Sequence, residues 1–348
     1  MKNSVPGKLK ALSTLASILN ITGVDSVIGR PFKGVGAIFV LHSVVVDRRR
    51  YLNDKLHTSA HQLDQLLAYY RRKKIDIVSL DEAANRLKSG GAQYFVCFTF
   101  DDGYRDNLSV ALPIFKKYNA PFTVYVTTAF IKRRYDYWWR GLQELIKNTD
   151  SLDIDFLGQR LDVSTFAKKV SAYRLACNAI SKDPTLSESL KQVLRGSDIS
   201  IGSALDEDAL SEIELQVLAT NRNVEIGAHT NEHSKLSSIS LDEAYDDIIE
   251  NKSYLERLIG REVNHFAYPF GDRGSCGRRE FDLVKDIGFK TATTSRIGTL
   301  TPNHAGHLTA LPRLRIFSEI GNNRIVEFQR TGGFSAVSAP FQSALVTE

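Results

Sequence analysis

The chain has 348 residues, so one elaborated α/β barrel or two ordinary domains would account for its length. Its formal net charge is +5, and its basic clusters are separated by mixed sequence without aromatic interleaving, so we expect no nucleic-acid partner. The three cysteines are far apart and form no Cys-x-x-Cys pair. The sequence therefore suggests neither a disulfide framework nor a thiolate zinc site, and favours a reducing compartment.

Residues 1–35 are expected to form an amphipathic helical segment. Ser, Thr and Asn interrupt its apolar positions, unlike the continuous apolar region of a signal peptide. These positions recur at helical spacing: Leu9, Leu12, Leu15, Ile18 and Leu19. We expect the helix to dock on its own domain, with a peripheral membrane contact as the alternative, and we expect a cytoplasmic location.

From residue 36 onward, short apolar, β-rich runs alternate with helical patterns. The runs lie at 36–42, 75–80, 94–100, 121–127, 224–229, 264–270 and 289–294. Nearly continuous apolar character is typical of strands covered on both faces, as in a parallel sheet. The clearest helix begins after Ser240, a candidate N-cap, and ends before Gly260. The alternation predicts an α/β fold with a parallel core.

The alternation stops between 138 and 217, where the sequence is mostly polar and helical with one weak strand at 152–158. Because the alternation resumes afterwards, we interpret this stretch as a helical insertion in a single domain at 36–318. Residues 319–348 form a C-terminal extension whose small residues, from Thr331 onward, predict loose order.

Two adjacent carboxylates, Asp101 and Asp102, follow the predicted strand at 94–100 and precede Gly103. In parallel α/β folds the carboxyl end of a strand is where ligands bind. Two ionised carboxylates repel each other unless a positive charge lies beside them, and a divalent metal is the obvious candidate.

Two histidines complete a ligand set. His229 ends another predicted strand, and His233 follows four residues later, on the same side if the chain turns helically. Two histidines and one carboxylate, with a position left for water, are a familiar set for catalytic zinc. The second carboxylate is then free to act as a base. Each motif alone is weak, since Asp-Asp-Gly is most often a turn; together at strand ends they indicate a metal site.

The motifs "TFDDG" (99–103), "HTNEH" (229–233) and "YPFG" (268–271) resemble the polysaccharide deacetylase family, also called the NodB-homology domain or carbohydrate esterase family four. The resemblance covers roughly 36–130 and 218–318. It implies a distorted (β/α)7-type barrel, with the helical insertion outside the resemblance.

The resemblance also implies metal-dependent hydrolysis of acetyl groups, usually N-acetyl, from a sugar, with Zn²⁺ as the expected metal. By motif position, Asp101 is the general base, and Asp102, His229 and His233 are the metal ligands. The backbone amide near Phe270 would help to stabilise the oxyanion.

The sequence departs from the family pattern at two places. Many members have an arginine two residues before the motif proline, where it orients the base, and this chain has Ala267 at that position. Their late Leu-x-x-His, which supplies the general acid, has no clear counterpart, because Arg313 stands in this region. We expect His42, at the end of the first predicted strand, to take this role, with His304 or His307 as alternatives. A structural strand-end histidine is the competing interpretation of His42.

Four residues are expected to contact the substrate: Tyr104, Thr230, Trp138 and Arg313. Trp138 and Trp139 together suggest a sugar-stacking platform, although adjacent residues on a helix point apart and at most one would reach a sugar. Packing in the core of the insertion is the alternative for this pair.

Two other functions compete with a deacetylase. A carbohydrate-binding barrel without activity would explain the missing arginine and histidine, but the base and ligand positions are intact. A phosphatase acting through an aspartyl phosphate would need its two aspartates separated by one residue and gives no role to His229 and His233. The expected partner is therefore an acetylated carbohydrate, such as a lipid-linked or nucleotide-linked precursor or a chito-oligosaccharide.

Overall fold

The computed structural model describes residues 33–47, 51–52, 56–90, 93–183, 185–316 and 323–332. The helix predicted within 1–35 and most of the C-terminal extension lie outside these residues.

The described residues form short strands linked mainly by helices. In chain order the strands are β1 (Gly36–Leu41), β2 (Ser43–Val45), β3 (His57–Ser59), β4 (Asp76–Ile77), β5 (Phe95–Phe100), β6 (Phe122–Val126), β7 (Ser151–Leu152), β8 (Leu161–Asp162), β9 (Val224–Ala228), β10 (His265–Ala267), β11 (Thr291–Ile297) and β12 (Leu311–Arg315). The helices are α1 (Ala60–Arg72), α2 (Leu80–Ser89), α3 (Leu112–Lys117), α4 (Thr128–Ile131), α5 (Trp138–Lys147), α6 (Phe166–Lys182), α7 (Leu186–Arg195), α8 (Ile201–Asp208), α9 (Glu212–Ala219), α10 (Leu241–Ile259), α11 (Arg278–Asp286) and α12 (Asn323–Arg330).

The main sheet is parallel and closes on itself. Its eight strands run in the order β1-β12-β11-β10-β9-β6-β5-β4, and the pairing of β1 with β5 closes all but β4 into a ring. The edge of β5 is shared: Phe95 and Val96 pair with β4, whereas Thr99 and Phe100 pair with β6. This closed seven-strand parallel barrel confirms the expected fold class.

The prediction of individual strands was wrong in one respect. The apolar run at 75–80 contributes only β4, which lies outside the ring, and the strand that completes the ring is β12, which was not predicted. The sequence "LPRLR" hides β12 because Pro312 and two arginines interrupt its apolar pattern. One of them, Arg313, is nevertheless buried.

Strands buried on both faces explain the continuous apolar runs. Along β5, Phe98 and Phe100 pack under the surrounding helices against Phe115, while Cys97 belongs to a separate cluster with Tyr125. Successive side chains of a strand point to opposite faces, so the second cluster fills the barrel interior. Residues of α2 also pack in this cluster, and α2 thereby covers the amino end of the barrel.

Helix α10 has the ends that the sequence predicts. Ser240 is its N-cap and forms a capping box with Glu243, and Gly260 ends it in the left-handed conformation at φ 68°. Its buried face contains two polar residues, Asp247 and Asn251, one helical turn apart.

The stretch predicted as a helical insertion contains α5 to α8 and has a small core of its own, in which Leu142, Ile146 and Tyr173 are buried. The weak strand expected at 152–158 is mostly a 3-10 turn at Asp155–Leu157, preceded by β7.

The end of the insertion returns to the carboxyl end of the barrel. The Leu210 amide donates a hydrogen bond to the Gly103 carbonyl at 3.1 Å, and the Arg105 amide donates one to the Asp208 carbonyl at 2.7 Å. The guanidinium of Arg133 donates to the carbonyls of Ala209 and Leu210. These contacts fix the loop that follows the two aspartates.

Helix α12 lies within the predicted C-terminal extension and packs on the barrel. Val326 joins the main core, and the Tyr69 hydroxyl on α1 donates a hydrogen bond to the Glu327 carboxylate. Within the described part of the chain, none of the helices has the length and apolar character needed to cross a membrane.

Candidate active site and metal centre

The three predicted metal ligands meet at the carboxyl end of the barrel. Asp102 Oδ1 lies 3.6 Å from His229 Nε2 and 3.5 Å from His233 Nε2. Tetrahedral Zn²⁺ with bonds of about 2.0–2.1 Å would separate two ligand atoms by about 3.3–3.4 Å. Asp102 Oδ1 is buried and has no hydrogen-bond partner within the described residues. An orphaned carboxylate oxygen facing two imidazole nitrogens fits a divalent metal.

The tautomer of His229 suits metal binding. Its Nδ1 lies 2.7 Å from the carbonyl oxygen of Ala267, on the neighbouring strand β10. Because a carbonyl only accepts, Nδ1 carries the hydrogen and Nε2 turns a lone pair toward Asp102. The position that lacks the family's arginine thus orients a metal ligand through its backbone.

Backbone strain is concentrated around this site. Of the seven described non-glycine residues with positive φ, four belong to it: Asp102 at 75°, Thr230 at 63°, His233 at 59° and Phe270 at 61°. Each such residue costs on the order of 1–3 kcal/mol, and persists only when its surroundings determine its conformation. The site therefore needs strong supporting contacts.

Helix α10 supplies much of this support. Asp247 Oδ1 accepts hydrogen bonds from the amides of Asn231 and Glu232, at 2.7 and 2.8 Å. The Asn251 side chain accepts from the His229 amide at 3.0 Å and donates to the Val126 carbonyl at 3.0 Å. Sequence reasoning missed both residues, although two polar residues in the buried stripe of an amphipathic helix were a usable signal.

The predicted base, Asp101, is held by Arg313. The two guanidinium nitrogens lie 2.7 and 2.8 Å from the two carboxylate oxygens, and Arg313 Nε donates to the Thr294 carbonyl at 2.8 Å. Arg313 was expected to contact substrate, but its side chain is 1% exposed and is used by these contacts. Arg313 instead orients Asp101, which is the role of the arginine that Ala267 replaces.

The pKa values of the two adjacent carboxylates are shifted in opposite directions. Burial by itself raises the pKa of Asp101, but the Arg313 guanidinium and neighbouring histidines hold that pKa well below its usual range. Burial and the Asp101 carboxylate raise the pKa of Asp102 to about 8. Asp101 is therefore held in its ionised form, whereas a cation beside Asp102 would stabilise the ionised form of that residue.

His42 lies at the end of β1, next to this pair. Burial lowers its pKa to about 4, against the opposing effect of the Asp101 carboxylate, and His229 also acts on it electrostatically. The two alternative histidines lie at the opposite end of the barrel, where Pro302–Gly306 packs on α2. The general-acid role of His42 stays a prediction.

Two aromatic rings flank His233. The Phe270 ring centroid lies 5.0 Å and that of Tyr135 5.3 Å from the imidazole. Phe270 is 58% exposed. Its carbonyl accepts a hydrogen bond from the Ser295 hydroxyl at 2.5 Å. Tyr135 was not predicted, since nothing in its local sequence marks it.

Three predicted substrate contacts lie elsewhere or under the surface. Trp138 packs on the core of the insertion, and it is Trp139 that contacts Tyr135, at 5.3 Å between ring centroids. Tyr104 is 2% exposed and packs on Phe130, and its expected contact with substrate stays a prediction. Thr230 is fully buried beside His229, and its role stays a prediction.

A known protein family matches the two segments that contain the predicted ligands. The family model described as polysaccharide deacetylase matches residues 88–152 and 201–292. No curated protein matches the sequence significantly.

Solved structures share the fold. The Streptococcus pyogenes deacetylase PplD in complex with acetate is 19% identical, with a TM-score of 0.55 over 84% of this chain and 96% of that chain. IcaB from Ammonifex degensii is 15% identical, with a TM-score of 0.55 over 86% and 97%. A de-N-acetylase from Aggregatibacter actinomycetemcomitans is 15% identical, with a TM-score of 0.51 over 84% and 99%.

The family-model match indicates a hydrolase that acts on amide or ester bonds of carbohydrates. The match to the polysaccharide deacetylase family model confirms the resemblance found in the motifs of the chain.

Proposed function

We propose that this protein removes acetyl groups, preferentially N-acetyl groups, from an oligosaccharide or polysaccharide precursor in a metal-dependent reaction. The observation that carries the proposal is the orphaned Oδ1 of Asp102, which faces Nε2 of His229 and of His233 beside an ionised Asp101.

Asp102, His229 and His233 would hold the metal, and Zn²⁺ suits this set of one carboxylate and two imidazoles. When bound, the metal supplies Lewis-acid chemistry, lowering the pKa of water and polarising a carbonyl group. Because Asn251 and the Ala267 carbonyl fix His229 from both sides, the ligands are positioned before a metal arrives.

Asp101 acts as the general base. The bidentate contact with Arg313 fixes both carboxylate oxygens and keeps the group ionised, so that it can accept a proton from the attacking water. Its low pKa means that the proton does not stay there, and it passes on to His42.

His42 and Phe270 serve the later part of the reaction. His42 lies beside Asp101 at the end of β1, so it can receive the proton that Asp101 takes from water and donate it to the leaving amine. The backbone N–H of Phe270 donates to the oxyanion, and the positive φ of this residue fixes its amide in place.

A carbohydrate substrate suits the surroundings. The exposed Phe270 ring beside His233 offers a flat apolar surface to the face of a pyranose ring. Among proteins of the same fold are a deacetylase bound to acetate and a de-N-acetylase, which favours acetyl removal and the N-acetyl preference.

The test is acetate release from N-acetylated and O-acetylated oligosaccharides by zinc-loaded protein. We expect release to fall at least about 10³-fold in Asp101→Asn and to be abolished by chelator. The matched control is Asp153→Asn, which changes an exposed aspartate of the insertion and should leave the rate unchanged. Saccharide binding without acetate release in the unmodified protein would favour the inactive carbohydrate-binding barrel.

A further inference from the structure

We infer that the barrel carries a second divalent-metal site, at its amino end, formed by Asp81, Glu225 and His265. His265 is the first residue of β10, Glu225 is the second of β9 and Asp81 is the second of α2. The group therefore lies at the opposite end of the same strands that carry the catalytic ligands.

The geometry of this group resembles that of the catalytic ligands. His265 Nε2 lies 3.5 Å from Asp81 Oδ1 and 3.9 Å from Glu225 Oε1, and the three ligand atoms lie within 4.8 Å of one another. Both distances exceed the 2.7–3.2 Å of an ordinary N–H···O hydrogen bond. They are close to the separation of about 3.3–3.4 Å expected between ligands of one tetrahedral ion.

His265 is buried and aimed into the group. Its side chain is 3% exposed, and its Nδ1 lies 2.8 Å from the Thr291 hydroxyl. When Nδ1 donates to that hydroxyl, Nε2 presents a lone pair to two carboxylates, and three acceptors that face one another require a cation.

Glu225 is oriented for coordination. Its Oε2 accepts hydrogen bonds from the Leu80 amide at 3.1 Å and the Thr123 hydroxyl at 2.9 Å. Because these contacts hold one oxygen, the other, Oε1, is left facing His265. A carboxylate fixed through its second oxygen is the supporting arrangement that metal ligands commonly have.

One cation already lies near the group. Lys290 Nζ is 3.3 Å from Asp81 Oδ1, on a side chain that is 52% exposed. With His265 neutral, two carboxylates and one ammonium leave a net charge of −1, so a divalent ion is still favoured. The long lysine side chain is free to swing into solvent when the ion binds. The mixed oxygen and nitrogen donor set suits Zn²⁺.

Zinc content tests the inference independently of catalysis. The purified protein is dialysed against Zn²⁺, and bound metal is counted by mass spectrometry. We expect two equivalents in the unmodified protein, one in the Asp102→Asn/His229→Gln variant, and none when His265→Gln is added. His265→Gln alone should keep one equivalent and its acetate release, so a failure of the proposed function would be seen separately.

Further variants protect this test against misfolding. Asp81→Asn changes a partly exposed residue and should also lose the second equivalent, whereas Asp286→Asn, on an exposed position of α11, should keep it. Lys290→Met removes the competing cation and should tighten Zn²⁺ binding. Zinc content falling to zero in Asp102→Asn/His229→Gln, or an equivalent that survives both His265→Gln and Asp81→Asn, would overturn the inference.

Discussion

The two ends of the barrel hold similar groups of side chains by different means. At the carboxyl end, Asp102 and His233 lie in loops with positive φ, supported by α10 and by the returning end of the insertion. At the amino end, Glu225 and His265 lie on regular strands. Regular strands therefore suffice to bring such side chains together, and the added strain at the carboxyl end lies where the proposed base and acid must also be held in position.

The largest effect is expected at the ion pair that anchors the base. Arg313→Met leaves the buried Asp101 carboxylate without its partner, and this should lower the free energy of unfolding by about 3–5 kcal/mol, measured by denaturant titration. Adding Asp101→Asn to Arg313→Met should recover most of the stability and none of the activity. If the single variant were as stable as the unmodified protein, the pair would not be the anchor described.

His42 lies at the carboxyl end of the barrel, where it is the proposed proton donor. In His42→Ala, acetate release from an N-acetyl sugar should fall by about 10²–10³-fold, because the leaving amine lacks its proton donor. Hydrolysis of 4-nitrophenyl acetate, whose leaving group needs no proton, should fall far less. Equal losses on both substrates, measured as kcat/KM, would assign His42 to structure alone.

A substitution at Asn251 tests the support that α10 gives to the site. Asn251→Ala should lower the free energy of unfolding by about 1–3 kcal/mol, because it leaves the buried His229 amide and Val126 carbonyl without these hydrogen bonds. Zinc affinity at the catalytic site should fall by about 10–100-fold. Asp246→Ala, exposed on the same helix, is the control for both measurements, and a normal affinity in Asn251→Ala would contradict the role.

The smallest effect is expected from relieving the backbone strain at Thr230. Thr230→Gly relieves a positive φ and should raise the free energy of unfolding by up to about 1 kcal/mol, while lowering activity through a looser loop. Thr291→Gly, at an equally buried threonine of β11, should instead destabilise the protein. Thermal unfolding of both variants compares the ends of the barrel directly, and shifts of the same sign would remove the distinction.

The sequence was sufficient for features that local patterns encode. Buried strands such as β5 and β6 are continuous apolar runs, and α10 has recognisable caps. The grouping of Asp102, His229 and His233 was predictable because Asp102 and His229 lie within two residues of the ends of strands that point to one end of the barrel.

Other features depend on which residues barrel closure brings together. The contact between Arg313 and Asp101 joins residues 212 positions apart, and Arg313 lies on the one ring strand whose charges hid it. Tyr135 reaches His233 only because the chain folds back after β6. Neither contact is marked by a local sequence pattern, so both are visible only in the three-dimensional structure.

The placement of Arg313 also bears on how relatives are recognised. Its side chain extends from β12 past β1, the strand that pairs with both β12 and β5, to reach the residue after β5. In a closed ring, inward side chains of several strands converge on one point, so an anchoring charge can migrate between strands during evolution without moving the residue it holds. A linear search pattern that demands arginine at position 267 would discard this chain, whereas a spatial template of a guanidinium against the first aspartate would retain it.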